Sequence, residues 1–181
     1  MNPGGTATAD PPRFAADAML GTLAKWLRLL GHDCFYERDV ADERLVELAR
    51  AQRRILLTRD RRVARRSPHA IYIPPGGIDD ELFTVHALLA LVPPGHPPMT
   101  RCSICNALLV RAGPEDLAAS SLPPRVAEER KEIWRCPDCR RFYWEGTHVA
   151  SMDERLARLR ERLAALEGPG PAPTAAVKSV K

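Results

Sequence analysis

The sequence predicts an α/β fold with a central, mainly parallel sheet, followed by a small metal-stapled module. Three observations predict it: short apolar runs alternate with helical patterns as far as residue 92, a proline-rich stretch follows, and two Cys-x-x-Cys pairs lie beyond it. Strands and helices that alternate through short connections favour parallel strands covered by helices. Cys102, Cys105, Cys136 and Cys139 form the donor set of one tetrahedral Zn²⁺.

Residues 1–12, rich in Gly, Ala, Thr and Pro, are expected to be flexible. Arg13-Phe14-Ala15-Ala16 then reads as a short buried strand ending at Asp17. A helix is expected from Ala18 to Leu30, because Leu20, Leu23, Leu27 and Leu30 recur at three- to four-residue spacing and Gly31 supplies a stop. Asp33-Cys34-Phe35-Tyr36 reads as a second strand. Asp42 opens the next helix, which carries Leu45, Leu48 and Ala49 on its apolar face and acids in its first turn, where the helix dipole favours them. Arg54 to Thr58 reads as a strand ending in Arg59-Asp60, followed by a short basic helix and a fourth strand from Ala70 to Ile73. Asp79-Asp80 opens a helical segment that runs through Leu89.

These elements make residues 13–92 one domain. In a parallel sheet the carboxyl ends of the strands border the ligand crevice, and both Asp17 and Asp60 stand at such ends. The prolines between Val92 and Pro98 deny a regular ladder and mark a linker. Residues 99–152 are assigned to the cysteine module, with Pro114 and Ser121-Leu122-Pro123-Pro124 in the loop between its two halves. A carboxyl-terminal helix is expected over residues 153–167, from a stripe of Leu156, Leu159, Leu163 and Leu166 that begins beside Met152. Residues 168–181 open on alternating Gly and Pro and are expected to be flexible.

The composition, 45% hydrophobic and 28% charged, is ordinary for a globular protein. A basic region followed by an apolar core is missing from the amino-terminal stretch, and the run Ala87 to Val92 is too short to span a bilayer. Five cysteines in this spacing, with Cys34 left over, favour thiolate ligation in a reducing compartment, so the expected location is the cytoplasm with no membrane partner. The net charge of +4 says little, but Arg50, Arg53, Arg54, Arg59, Arg61, Arg62, Arg65 and Arg66 crowd one stretch. Such a run is either a solvated face or a nucleic-acid contact. The chain has no glycine-rich phosphate loop, which argues against a nucleotide-driven motor or kinase.

Asp17, Asp42, Glu43, Asp60, Asp79 and Asp80 are the acids to weigh together. Hard carboxylate oxygens of this kind bind divalent cations that promote phosphodiester hydrolysis. The same residue types also cap helices, so Asp42 and Asp79 have a second explanation as caps and Glu43 as a first-turn charge.

The stretch Arg13 to Asp33, with Asp17-Ala18-Met19-Leu20-Gly21-Thr22-Leu23-Ala24-Lys25-Trp26-Leu27-Arg28 at its centre, strongly resembles the opening of the mutator-type C-terminal ribonuclease family, a branch of the PIN-like nucleases. Leu56-Leu57-Thr58-Arg59-Asp60 resembles the second hallmark of that family. The four cysteines and Arg141-Phe142-Tyr143-Trp144-Glu145-Gly146-Thr147-His148 are similar to its zinc ribbon. The resemblance implies a PIN-like α/β domain, a structural zinc ribbon and a metal-dependent, endonucleolytic ribonuclease. It also implies that Asp17 and Asp60 hold Mg²⁺ or Mn²⁺, that Asp42 or Glu43 is the acid at the next helix start, and that Asp79 or Asp80 is a fourth acid.

Around these acids, Thr58 is expected to bond a metal-bound carboxylate, and Arg59 to pair with either a phosphate or an acid. Lys25, Arg28 and Arg62 either flank an RNA path or are simply exposed. Trp26 is a packing residue. Phe142, Tyr143 and Trp144 either stack on unpaired bases or pack the ribbon. Four cysteines leave no ligand role for His96 or His148. Two rival functions stand beside the nuclease: a noncatalytic RNA- or ribosome-associated adaptor, and a toxin-like nuclease regulated by a protein partner. Carboxylates and arginines do not by themselves separate RNA from DNA.

Overall fold

The computed structural model describes residues 10–120, 122–123, 125–126, 132–146 and 148–167. The expected flexible tail 168–181, most of the lead-in, and Ser121, Pro124 and Thr147 lie outside the described residues. Strand β1 (Phe14–Ala16) leads through a 3₁₀ turn (Ala18–Leu20) into α1 (Gly21–Leu29), then β2 (Cys34–Tyr36), α2 (Asp42–Ala51), β3 (Ile55–Thr58), α3 (Arg61–Arg66), β4 (Ala70–Tyr72) and α4 (Ile78–Leu89). The four strands form a parallel sheet in the order β2-β1-β3-β4, with Phe14 opposite both Cys34 and Ile55. The expected α/β architecture is therefore present.

Alternation along the strands divides the core in two. Phe14, Ala16 and Leu57 face Leu23, Leu27, Leu82 and Val85 of α1 and α4, whereas Ala15 and Leu56 face Leu45 and Ala49 of α2. Val63 of α3 packs on the second side. The chain thus moves outward from β1 to β2 with its helix on one face, then returns past β1 to β3 with its helix on the other. That reversal puts a topological switch point between the carboxyl ends of β1 and β3, where open α/β sheets bind ligands.

Two backbone details shape the first helix. Gly21 lies so close to Tyr36 that a Cβ there would stand 2.6 Å from the Tyr36 hydroxyl. Gly31 (φ +90°) ends the helix, its amide reaching Arg28 O and that of His32 reaching Leu27 O.

The second sheet is antiparallel: β5 (Val110–Arg111), β6 (Ile133–Arg135) and β7 (Phe142–Trp144). Helix α5 (Pro114–Ala118) follows β5, inside the stretch expected to be a loop. Helix α6 (His148–Ala164) begins several residues before the expected start and returns to the first domain, burying Leu156 and Leu159 in the core under α1 and α4. Leu166, expected on the same stripe, is instead exposed in a 3₁₀ turn beyond the helix. Among the described residues, no helix is long and apolar enough to cross a membrane.

The cysteine module docks on the free edge of the parallel sheet. The Cys34 amide donates to Asn106 Oδ1 (3.1 Å), and the Cys34 carbonyl accepts from Arg28 Nε (2.8 Å). Asn106 Nδ2 also donates to Asp33 Oδ1 (2.7 Å), and Arg101 Nε to Gly31 O (3.3 Å). An edge strand with open backbone groups is a template for unwanted pairing, and here the module covers it.

Candidate active site and metal centre

Asp17 and Asp60 flank the switch point. Asp17 is 7% exposed, and its two oxygens accept separate amides, Oδ1 that of Met19 (2.9 Å) and Oδ2 that of Arg59 (2.7 Å). The second bond crosses from β1 to the end of β3 and fixes the two acidic corners relative to each other. Asp60 caps α3, its Oδ1 accepting from the amides of Arg62 (2.6 Å) and Val63 (3.2 Å). Those amides hold its carboxyl below the ordinary range, helped by the fields of Arg62 and Arg66. Asp42 and Asp79, for which a capping role was expected, lie inside first turns capped by Ala41 and Gly77, whereas Asp17 and Asp60 are themselves the helix caps. A carboxylate offers about four lone-pair sites, so capping leaves acceptor capacity on each.

Several other residues depart from expectation. The Thr58 hydroxyl accepts the Asp60 amide (2.9 Å) instead of meeting a carboxylate. Arg28, expected to flank an RNA path or to be exposed, is 4% exposed and its guanidinium donates to the carbonyls of Cys34, Ser103 and Ile104. Asp79 and Asp80 turn away to α6, pairing with Arg155 (2.6 Å) and Arg162 (3.0 Å). Asp42 and Glu43 occupy the exposed first turn of α2, which follows β2 at the carboxyl end of the parallel sheet, the end where Asp17 and Asp60 also stand. Lys25 and Arg62 are exposed, and Arg155 stacks on the Trp26 ring.

The acid that does reach the crevice is Glu81, which the sequence pattern alone did not single out. It is 5% exposed and forms an ion pair with the guanidinium of Arg59, the residue whose amide holds Asp17. Arg59 therefore meets an acid, one of its two expected partners. The signal for Glu81 was its place on the buried stripe of α4, three residues after Ile78 and four before Val85.

Metal-ligating side chains are gathered most tightly at the cysteines. Among the described residues, Cys102, Cys105, Cys136 and Cys139 are the one group of three or more such side chains whose donor atoms all lie within 4.8 Å of one another. Two of the sulfur separations are 3.5 and 3.3 Å, close to the roughly 3.8 Å edge of a tetrahedron with Zn–S bonds of about 2.3 Å. The two halves repeat one pattern: Cys105 N donates to Cys102 Sγ and Cys139 N to Cys136 Sγ, both at 3.4 Å. Asn106 (φ +72°) and Arg140 (φ +60°) then turn each chain through the left-handed region. Burial opposes ionisation of Cys102, but amides of Cys105 and Ile104 and the Tyr143 hydroxyl bring its thiol down to about 6. Burial and the neighbouring thiols push Cys105 and Cys139 the other way, and four convergent thiols can chelate zinc. Tyr143 contacts Cys102 Sγ (3.0 Å) and Ser103 Oγ (3.3 Å), so its polar end belongs to the module.

A family model described as the Mut7-C RNAse domain matches residues 12–156, which takes in both the crevice and the four cysteines. No curated protein and no solved structure matched the chain.

Proposed function

Because the chain belongs to the Mut7-C RNase domain family, we propose that the crevice between β1 and β3 is the active site of a metal-dependent endoribonuclease. The observation that carries this reading is the Asp17–Arg59 amide bond, which ties acids from two strands together at the switch point. In this reading residues 13–92, covered by α6, are the catalytic domain, residues 99–152 are a structural zinc ribbon, and the protein works in the cytoplasm, where thiols stay reduced.

The donor set at the crevice is hard carboxylate oxygen, which fits Mg²⁺ or Mn²⁺. Asp17 and Asp60 would hold the ion, with Asp42, Glu43 or Glu81 completing the set. A cation so held supplies a more acidic water and neutralises charge on the phosphate.

The chain's own residues supply position. Met19 and Arg59 amides hold Asp17 in one orientation, and the first turn of α3 holds Asp60. Arg59, held by Glu81, is a fork that can exchange its carboxylate for a substrate phosphate. Exposed Lys25 and Arg62 would contact RNA, whereas buried Arg28 would not.

Cleavage of end-labelled single-stranded RNA by zinc-replete protein, with and without Mg²⁺ or Mn²⁺, tests the reading. Metal-dependent cleavage that disappears in folded Asp17→Asn and Asp60→Asn is the expected result. RNA that stays bound but intact under every condition would favour the adaptor, which the capping roles of both acids also suit. Activity appearing only with a co-purified protein would favour the partner-regulated nuclease.

A further inference from the structure

A cavity of about 780 Å³ opens at the other end of β3, between α2, the turn entering β3 and the segment joining α3 to β4. Arg50, Arg53, Arg66 and His69 line it, Val46 and Leu56 contribute apolar surface, and no carboxylate is among its lining residues. We propose that this groove is a second contact site for RNA, holding the phosphodiester backbone of the strand whose scissile bond lies in the acidic crevice; the second half of that statement rests on the ribonuclease reading.

Three observations converge on it. Among the described residues, Arg50, Arg53 and Arg66 form no salt bridge, although Glu47 stands three residues before Arg50 on the same helix. Opposite charges at that spacing can pair on a helix, and here the guanidinium is left available to another anion. Arg53 sits in the left-handed region (φ +52°), in a tight turn closed by Arg54 N to Ala49 O at 2.8 Å, a conformation uncommon for a residue with a side chain. The Ser67 hydroxyl, also lining the groove, is buried with no hydrogen-bond partner.

The groove is also continuous with the crevice. Helix α3 starts at its cap Asp60 and ends at Arg66, and it exposes Arg61, Arg62 and Arg65 on the way. Its length of about 9 Å carries guanidinium groups from one site to the other. Planar guanidinium forks match phosphate oxygens, and the apolar floor suits the face of a base.

The test measures anisotropy of a fluorescein-labelled single-stranded RNA with the zinc-replete full chain, without added divalent cation, across a salt series. R50Q/R66Q is compared with wild type and with R158Q/R160Q, which makes the same charge change on α6. R50Q/R66Q is expected to weaken binding on the order of tenfold and to flatten the plot of log affinity against log salt by about 0.7 for each phosphate left unneutralised, while the control follows wild type. An unchanged slope in R50Q/R66Q overturns the proposal. So does unchanged RNA binding together with weakened binding of polyglutamate, which would assign the groove to an acidic protein. Should the double variant melt early, Arg50→Gln alone, on exposed α2 surface, gives the same reading with half the change in slope.

Binding is read without cleavage. A chain that cuts no RNA yet loses affinity in R50Q/R66Q keeps the groove and sinks the ribonuclease reading; cleavage with unaltered binding does the reverse.

Discussion

At Arg59 the guanidinium meets a carboxylate that water barely reaches, whereas Asp79 and Asp80, in the same turn of α4 as Glu81, pair at the surface. Neutralising one partner of a largely desolvated pair leaves the other charge uncompensated. Glu81→Gln is therefore expected to lower stability by about 1–3 kcal/mol in urea unfolding. Asp79→Asn and Asp80→Asn, whose side chains are 50% and 65% exposed, should each shift it by less than about 1 kcal/mol. Equal effects of all three would mean that the Arg59 pair is solvated like the others. Asp17 and Asp60 were readable in the sequence because each polar residue ends an apolar run. Glu81 was hidden because three consecutive acids look alike until the helical stripe is followed inward. Arg28 was misread because the carbonyls that bury it come from Ser103 and Ile104, some 75 residues away in the chain.

Element by element, the first cysteine turn is as much a part of the parallel sheet as of the zinc module, since it caps the Cys34 backbone on edge strand β2. Arg28→Met keeps the bulk of the side chain but removes the donors to three carbonyls. The expected loss is about 2–4 kcal/mol by urea unfolding, with zinc content unchanged. A loss below about 0.5 kcal/mol would show that water replaces the guanidinium and that the docking is not stabilised there. Asn106 separates conformation from bonding. Asn106→Gly loses the bonds to Cys34 and Asp33 but is at ease at φ +72°, whereas Asn106→Ala loses them and keeps the strained backbone. Thermal unfolding should rank alanine below glycine by about 1 kcal/mol; the reverse order would mean that Asn106 relaxes out of the left-handed region once its bonds are gone.

For the whole molecule, period and spacing were enough to read four short strands alternating with helices and hence a parallel sheet, but not the strand order, because alternation leaves several topologies open. They could not reveal that α6 closes the first domain after the module intervenes, since its leucine stripe does not name the surface it covers. A histidine pair lies inside the first domain: His86 of α4 is fully buried, and its ring lies 6.0 Å from that of His32, which also meets Phe14. Burial, with His86 and Arg101 nearby, pushes His32 down to about 4, and burial also lowers His86. Above about pH 6.5 both folded and unfolded chains hold these rings neutral, so neither state gains. Below that value the unfolded chain takes up protons that the folded chain refuses until about pH 4, so stability falls across this window. A further loss follows from Asp33, where burial opposes ionisation but Arg54 and Asn106 hold the carboxyl down at about 2; its contribution disappears only as pH drops from about 4 towards that value. Thiolate protonation weakens zinc binding over an overlapping range, so a comparison that leaves the cysteines untouched isolates the histidines. Unfolding free energies from urea titrations between about pH 7 and about pH 4 should fall less steeply in His32→Asn than in wild type, by on the order of 2 kcal/mol over the window. Parallel curves for the two proteins would show that His32 contributes nothing to the acid sensitivity and leave it to His86, Asp33 and the cysteine cluster.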